Sequence, residues 1–140
     1  MIWPNPVRLL LLTMLLTMLL TSSVVAMQGS QAQPLNIRRI ELQRQNLIVP
    51  GREVIQVRVE LDRGAAFGRH EHPGDEIIYV IAGSFEYEVE GRPAIRLSAG
   101  GVLFIPSGVI HAARNVGTET AVELATYVVE IGKPLVVVVD

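Results

Sequence analysis

Residues 64–83 read GAAFGRHEHPGDEIIYVIAG and contain His70, His72 and Glu76. Side chains two residues apart on a β-strand point to the same face, so His70 and His72 project together. The Pro73-Gly74 turn that follows can reverse the chain and return the Glu76 carboxylate to the two imidazoles. This stretch therefore predicts a strand, a turn and a second strand that bring two nitrogen donors and one oxygen donor together.

Residues 100–115, GGVLFIPSGVIHAARN, hold the remaining histidine, His111, after a second tight turn. A lone histidine in a strand is usually a surface residue or a hydrogen-bonded core residue, and that alternative stays open for each one. As a set, three neutral imidazoles and one carboxylate suit one divalent ion of Fe, Mn, Ni, Zn, Co or Cu. The chain has no cysteine, which rules out disulfide bridges and thiolate-bound structural zinc.

From residue 36 onward the chain alternates between apolar and polar side chains, as half-buried strands do. The clearest runs are residues 53–61 and 85–90. Further strands are predicted over residues 76–81, 94–97, 102–105, 110–115 and 121–130, with Gly- and Pro-rich turns between them. Many short strands and no helical period predict an all-β sandwich or jelly-roll barrel.

Glycines and prolines stand at fixed distances from the candidate ligands. The first stretch reads Gly-x5-His-x-His-x3-Glu-x6-Gly from Gly64 to Gly83, and the second reads Gly-x5-Pro-x-Gly-x2-His-x3-Asn from Gly100 to Asn115. They resemble the two signature motifs of the cupin superfamily, and every specified position matches. The resemblance implies a small, single-domain bacterial cupin. Its single jelly-roll barrel would hold one divalent metal through the following ligands: His70, His72, Glu76 and His111.

The N-terminus predicts export. An apolar run from Leu9 to Leu20 is followed by small residues ending at Ala26 and at Ala32, as in signal peptides. We expect a signal peptide over residues 1–26, cleaved after Ala26 or Ala32, then a linker over residues 27–35 and the cupin barrel over residues 36–140. The mature protein would be periplasmic or secreted. The alternative is an uncleaved membrane anchor, because Leu9 to Met27 carries no charge over 19 residues.

Alternation also predicts the surroundings of the candidate metal. Ala66 and Gly68 should share the face of His70, and Ala113 the face of His111, which leaves space beside the ligands. Several apolar side chains could wall a pocket or simply fill the core: Ile78, Val80, Phe85, Tyr87 and Phe104. Three glutamates should lie on a solvated outer face: Glu86, Glu88 and Glu90. No further acid or base is expected on the inward face.

The formal net charge of -2, without a basic stripe, argues against a nucleic-acid partner. Four protein ligands leave up to two positions on a six-coordinate ion, which favours a small, anionic or chelating organic ligand. Cupins with this ligand set include dioxygenases, oxalate-degrading enzymes, isomerases and non-enzymatic binding proteins. The resemblance implies a metal-dependent oxidoreductase of dioxygenase type that acts on a small organic molecule. A non-catalytic module that binds or senses a metal or small ligand is the alternative.

The resemblance also implies a homodimer. The tail over residues 135–139 is an uninterrupted apolar run that would promote aggregation as a free strand edge. It pairs either within its own sheet or with a second chain, and residues 36–49 are the other candidate for pairing between chains.

Overall fold

The computed structural model describes residues 37–140, which form two five-stranded antiparallel sheets. In chain order the strands are β1 (Ile37–Asn46), β2 (Arg52–Leu61), β3 (Ala66–Glu71), β4 (Gly74–Ala82), β5 (Ser84–Val89), β6 (Ile95–Ser98), β7 (Val102–Ile105), β8 (His111–Asn115), β9 (Ala121–Glu130) and β10 (Val137–Val138). The first sheet has the order β1-β2-β9-β4-β7 and the second has the order β10-β3-β8-β5-β6. The predicted all-β jelly roll is confirmed.

The predicted signal peptide, its cleavage sites after Ala26 and Ala32, the membrane-anchor alternative and the linker all lie outside the described residues. Export therefore stays a prediction. Within residues 37–140 no helix has the length and apolarity needed to cross a bilayer.

The strand β2 shows how the alternation builds the core. Its inward side chains are 1–3% exposed, whereas the residues between them are only half-buried; the inward set is Ile55, Val57, Val59 and Leu61. The second sheet contributes Phe85 and Tyr87 from β5, whose rings stack with centroids 5.6 Å apart. Each large apolar side chain buried in this way contributes about 1.5–3 kcal/mol. Apolar contact between the inner faces of the two sheets therefore holds the barrel closed.

Asn115, the last residue of the second motif, joins two loops. Its side-chain amide is 4% exposed and donates to the carbonyl oxygens of Leu61 at 2.9 Å and Glu119 at 2.7 Å. The Asn115 side-chain oxygen accepts from the Gly117 N–H at 2.8 Å. Only a side chain with both donors and an acceptor can make this set of bonds, so this motif position has a structural role.

The apolar tail pairs within its own sheet, as one of the two alternatives predicted. Val137 and Val138 of β10 lie opposite Glu71 and His70 of β3, and the Val139 N–H donates to the Arg69 carbonyl oxygen at 3.0 Å. The other candidate edge, β1, pairs with β2 along its length. Neither segment is thus a free strand without a partner in its own chain.

The outer face of β4 and β7 is apolar. Five side chains on it are 42–66% exposed, and we refer to them as the β4–β7 face: Ile77, Tyr79, Ile81, Val102 and Phe104. Phe104 lies opposite Ile77 in the ladder, and its neighbours Leu103 and Ile105 are the residues of β7 that point inward. The prediction that Phe104 could wall an inner pocket is therefore wrong.

Glu86 also departs from expectation, because only Glu88 and Glu90 of the three glutamates are solvated. Glu86 is 7% exposed and forms ion pairs with Arg96, at 2.6 Å, and with Arg114. The hydrogen bonds from these two guanidinium groups lower the pKa of the Glu86 carboxyl. The long arginine side chains cover the carboxylate, which alternation alone could not predict.

Gly83 provides a test of how closely the connection between the two sheets approaches β9. It connects β4 in the first sheet to β5 in the second with a φ of 76°, and an added Cβ would lie 2.7 Å from the Ala121 Cα. Gly91 has the same φ of 76° but no atom within 4 Å of an added Cβ. Each alanine substitution should cost about 1–2 kcal/mol for the left-handed backbone. Gly83→Ala should cost about 1–3 kcal/mol more because of the collision. Urea unfolding of the two variants measures the difference, and equal losses would contradict the close approach.

Candidate metal centre

The fold brings the four predicted ligands together between the sheets. His70 in β3 lies directly opposite His111 in β8, and His72 follows immediately after β3. The Pro73-Gly74 connection then carries the chain from the second sheet to the first, which places Glu76 of β4 across from the histidines. All four side chains are 3–5% exposed. A Cβ on Gly74 would collide with the Val128 and Val129 backbone, so only glycine allows β4 to approach β9 at this crossing.

The donor atoms converge. One ring nitrogen from each of the three histidines lies within 4.8 Å of the corresponding nitrogens of the others. Oε2 of Glu76 lies 3.1 Å from Nε2 of His111 and 3.4 Å from Nε2 of His72. The three nitrogens could surround a single divalent ion, and the Glu76 oxygen lies beside two of them.

Backbone carbonyls hold each imidazole through its other nitrogen. Nδ1 of His70 lies 2.8 Å from the Gly68 oxygen, and Nδ1 of His111 lies 2.9 Å from the Val109 oxygen. Nδ1 of His72 lies 2.6 Å from the oxygen of Leu135, in the C-terminal tail. A carbonyl oxygen only accepts, so each Nδ1 carries the proton and donates it. Each neutral ring then presents a bare Nε2, the arrangement that metal-binding histidines use.

The buried atoms of the site fit a cation. Nε2 of His72 and Oε2 of Glu76 are buried without a hydrogen-bond partner. With the protons on Nδ1, the atoms that face each other are all acceptors, which repel unless a positive charge lies between them. A single proton satisfies only one such pair, whereas a metal ion satisfies all of them at once.

The pKa values of His70 and Glu76 agree with this charge state. Burial lowers the pKa of His70 to about 4, so this imidazole is neutral near pH 7. Burial opposes ionisation of Glu76, but the imidazoles of His111 and His72 outweigh it and hold the carboxyl pKa well below its usual range. Burial lowers the pKa of His111 and Glu76 raises it, with a net upward shift, so on this imidazole a proton competes with a metal ion for Nε2. One negative oxygen therefore faces the nitrogen donors.

Sequence reasoning missed a second polar group on the inward face. Glu123 of β9 is 6% exposed and accepts a short hydrogen bond from the Tyr87 hydroxyl. Tyr127, four residues further along β9, packs edge-on against His72 with ring centroids 4.7 Å apart. The expectation of no inward acid or base is thus wrong. Glu123 lies on the same face of β9 as Ala121 and Tyr127, and this face points inward. Because β9 carries apolar residues on both faces, the sequence did not indicate which face is the inward one.

A bulge in β3 corrects another expectation. The register between β3 and β8 shifts between Phe67 and His70, so strict alternation fails there. The Phe67 ring, rather than Ala66, packs against His70, at 4.4 Å between centroids, and Ala66 is exposed. Ala113 does share a face with His111, as predicted.

The space beside the candidate ligands is small. The cavity holds about 20 Å³ of room for a water-sized sphere, enough for roughly one water molecule. Its lining includes predicted residues and residues that the sequence did not indicate: Arg39, Val59, Leu61, Phe67, His70, Glu76, Ile78, Tyr87, His111, Ala113, Glu123 and Tyr127. A ligand must therefore displace water or move a side chain at the mouth.

Two antiparallel sheets in a jelly roll, enclosing three imidazoles and one carboxylate, define a class of protein, the cupins. The chain matches the family described as Cupin domain over residues 57–130, more than half of its length, and it belongs to this family. The recognition from the two motifs is confirmed.

Relatives of known structure or activity extend the comparison. Over 57 residues the chain is 41% identical to dimethylsulfoniopropionate lyase DddQ of Ruegeria pomeroyi. The aligned stretch covers 41% of this chain and 28% of the lyase. The crystal structure of that lyase superposes with a TM-score of 0.56 at 29% identity, over 61% of this chain and 42% of the lyase. A cupin-like protein from Thermotoga maritima superposes with a TM-score of 0.61 at 25% identity, over 79% of this chain and 84% of its own. The chain thus spans less than half the length of the lyase that it matches.

The contact between His72 and the tail predicts that metal affinity depends on the C-terminus. A chain ending at Lys133 loses the Leu135 carbonyl that orients His72, whereas a chain ending at Val136 keeps it. Loss of such a supporting hydrogen bond typically weakens metal binding about 10–100-fold. Titration with Zn²⁺ should show this loss for the shorter chain and a smaller one for the chain ending at Val136. Equal affinity in the full chain and the chain ending at Lys133 would contradict the orienting role.

Proposed function

We propose that this protein is a metal-dependent cupin lyase, which removes a proton from one carbon of a small organic substrate and releases a group from the neighbouring carbon. The observation that carries this proposal is the buried Glu123–Tyr87 pair, which faces the same cavity as the candidate metal ligands. It supplies a carboxyl that the donor set does not use. The likeness to a lyase supports the reaction class.

Glu123 is suited to accept a proton. Burial raises the pKa of its carboxyl to about 7, although the hydrogen bond from Tyr87 acts in the opposite direction. A base with a pKa near the working pH is both available and strong enough to take a proton from carbon. Tyr87 holds the carboxyl in place, and burial raises the pKa of the Tyr87 hydroxyl, so this group stays protonated and acts as a donor.

The elimination balances without a further reactant. The C–H bond breaks and its proton passes to Glu123, its electron pair forms the new C=C bond, and the leaving group departs with the pair of the bond that breaks. His70, His72, Glu76 and His111 would hold the ion. When bound, a divalent ion polarises a substrate oxygen and stabilises the negative charge that develops. The closely fitting cavity limits access of water to the reacting carbon.

The oxidoreductase of dioxygenase type is the second candidate function. The observation that favours it is the donor set itself, because three imidazoles and one carboxylate leave up to two positions, enough for a chelating ligand or for one substrate oxygen and dioxygen. It assigns no role to Glu123 as a proton acceptor. A non-catalytic binding or sensing module, the other sequence alternative, also needs no base beside the ligands.

Substitution of Glu123 tests the proposal, with dimethylsulfoniopropionate as the first candidate substrate. Glu123→Gln should lower kcat at least about 100-fold, since general bases typically contribute 10²–10⁴-fold, while the metal content stays unchanged. Glu88→Gln, an exposed carboxyl on β5, is the matched control and should retain activity. The measurement is the release of dimethyl sulfide by metal-loaded protein.

The pH profile gives an independent readout. The base must be ionised, so kcat/KM should rise with pH through about 7 and level off above it. Full activity in Glu123→Gln, or substrate-dependent oxygen uptake in place of elimination, would contradict the lyase assignment.

A further inference from the structure

We propose that Arg39 recognises the carboxylate of the substrate, so that the lyase reaction proposed above acts on small carboxylic acids. Arg39 projects from β1, opposite Val59, toward the cavity that holds the candidate ligands and Glu123. Among the described residues, it is the one arginine or lysine that lines this cavity. The proposal rests on the proposed function for its reaction, but its binding test does not depend on turnover.

Two aromatic rings hold the guanidinium of Arg39. Its Cζ lies 5.4 Å from the ring centroid of Phe67 and 5.9 Å from that of Tyr127. One guanidinium nitrogen, Nη2, is 3.4 Å from the Tyr127 hydroxyl, a long contact. Contact with the rings restricts the side chain and leaves its other N–H groups free to bind a planar anion in bidentate fashion.

Arg39 differs from its neighbours on the same strand. Arg38 bonds to Glu60 at 2.9 and 2.7 Å, and Arg44 pairs with Glu53 at 2.8 Å. Within residues 37–140, Arg39 pairs with no carboxylate, although it is half-buried. A half-buried guanidinium without a direct ion pair can accept an anion, and a substrate carboxylate would supply one.

The position of Arg39 in the cavity also suits the proposed elimination. Arg39 and Glu123 line one small cavity, so a carboxylate bound to Arg39 places the adjoining carbons toward the proton acceptor. A carboxylate acidifies the C–H bond beside it, particularly when a cation withdraws its charge. The small volume restricts the substrate to a short chain.

Ligand binding tests this role directly. Propionate and its uncharged analogue propionamide are titrated into Zn²⁺-loaded wild-type, Arg39→Met and Arg38→Met proteins. The bound ion favours propionate in all three, so differences between the proteins report the arginine. Arg39→Met should reduce the preference for propionate over propionamide by about tenfold or more, the usual loss for a charged hydrogen bond. Arg38→Met should leave it unchanged.

The outcomes separate this proposal from the lyase assignment. If dimethylsulfoniopropionate is cleaved but Arg39→Met keeps the full preference for propionate, Arg39 is not the recognition residue and the lyase assignment stands. If the preference falls but no substrate is cleaved, Arg39 is supported and the lyase assignment fails. Should Arg39→Met not fold, Arg39→Lys keeps the charge without the bidentate geometry and should raise KM more than it lowers kcat. An unchanged KM in that variant would overturn the proposal.

Discussion

The candidate centre depends on how its three imidazoles are held. Each Nδ1 donates to a backbone carbonyl, so each bare Nε2 points into a space where the Glu76 carboxylate already lies. Acceptors that face each other inside a protein, without water, are unfavourable unless a cation joins them. Folding therefore prepares a site whose polar atoms are satisfied by a metal ion. The strength of the surrounding core offsets the cost of assembling it.

The jelly roll is well suited to building this arrangement. Two of the histidines lie opposite each other on β3 and β8, where the ladder fixes their separation, and the carboxylate arrives from the opposite sheet after one tight crossing. The third imidazole is held from a distance of 63 residues, by the carbonyl of Leu135. The C-terminal tail thus covers an edge of its sheet through β10 and supports a ligand through Leu135.

The sequence indicated an all-β fold through local rules, and it indicated the four candidate ligands through its resemblance to the two cupin motifs. Period-two alternation and the spacing of turn residues require no knowledge of the partner strand. The other features of the site depend on which strands pair and in what register. The strand ladder determines the bulge that turns Phe67 inward and the inward direction of Glu123. A distant segment of the chain supplies the contact of Leu135 with His72. Arg39 belongs to no sequence motif, and its proposed role in binding a carboxylate follows only from the cavity that it lines.

The central claim is that the Nε2 atoms of the three histidines and the carboxylate of Glu76 hold one metal ion. Crystals of the protein grown with Zn²⁺ and measured at its absorption edge test this most directly. We expect one anomalous peak per chain within about 2.0–2.2 Å of those four atoms. No peak there, or a metal bound through an Nδ1 atom that has left its backbone carbonyl, would contradict this account.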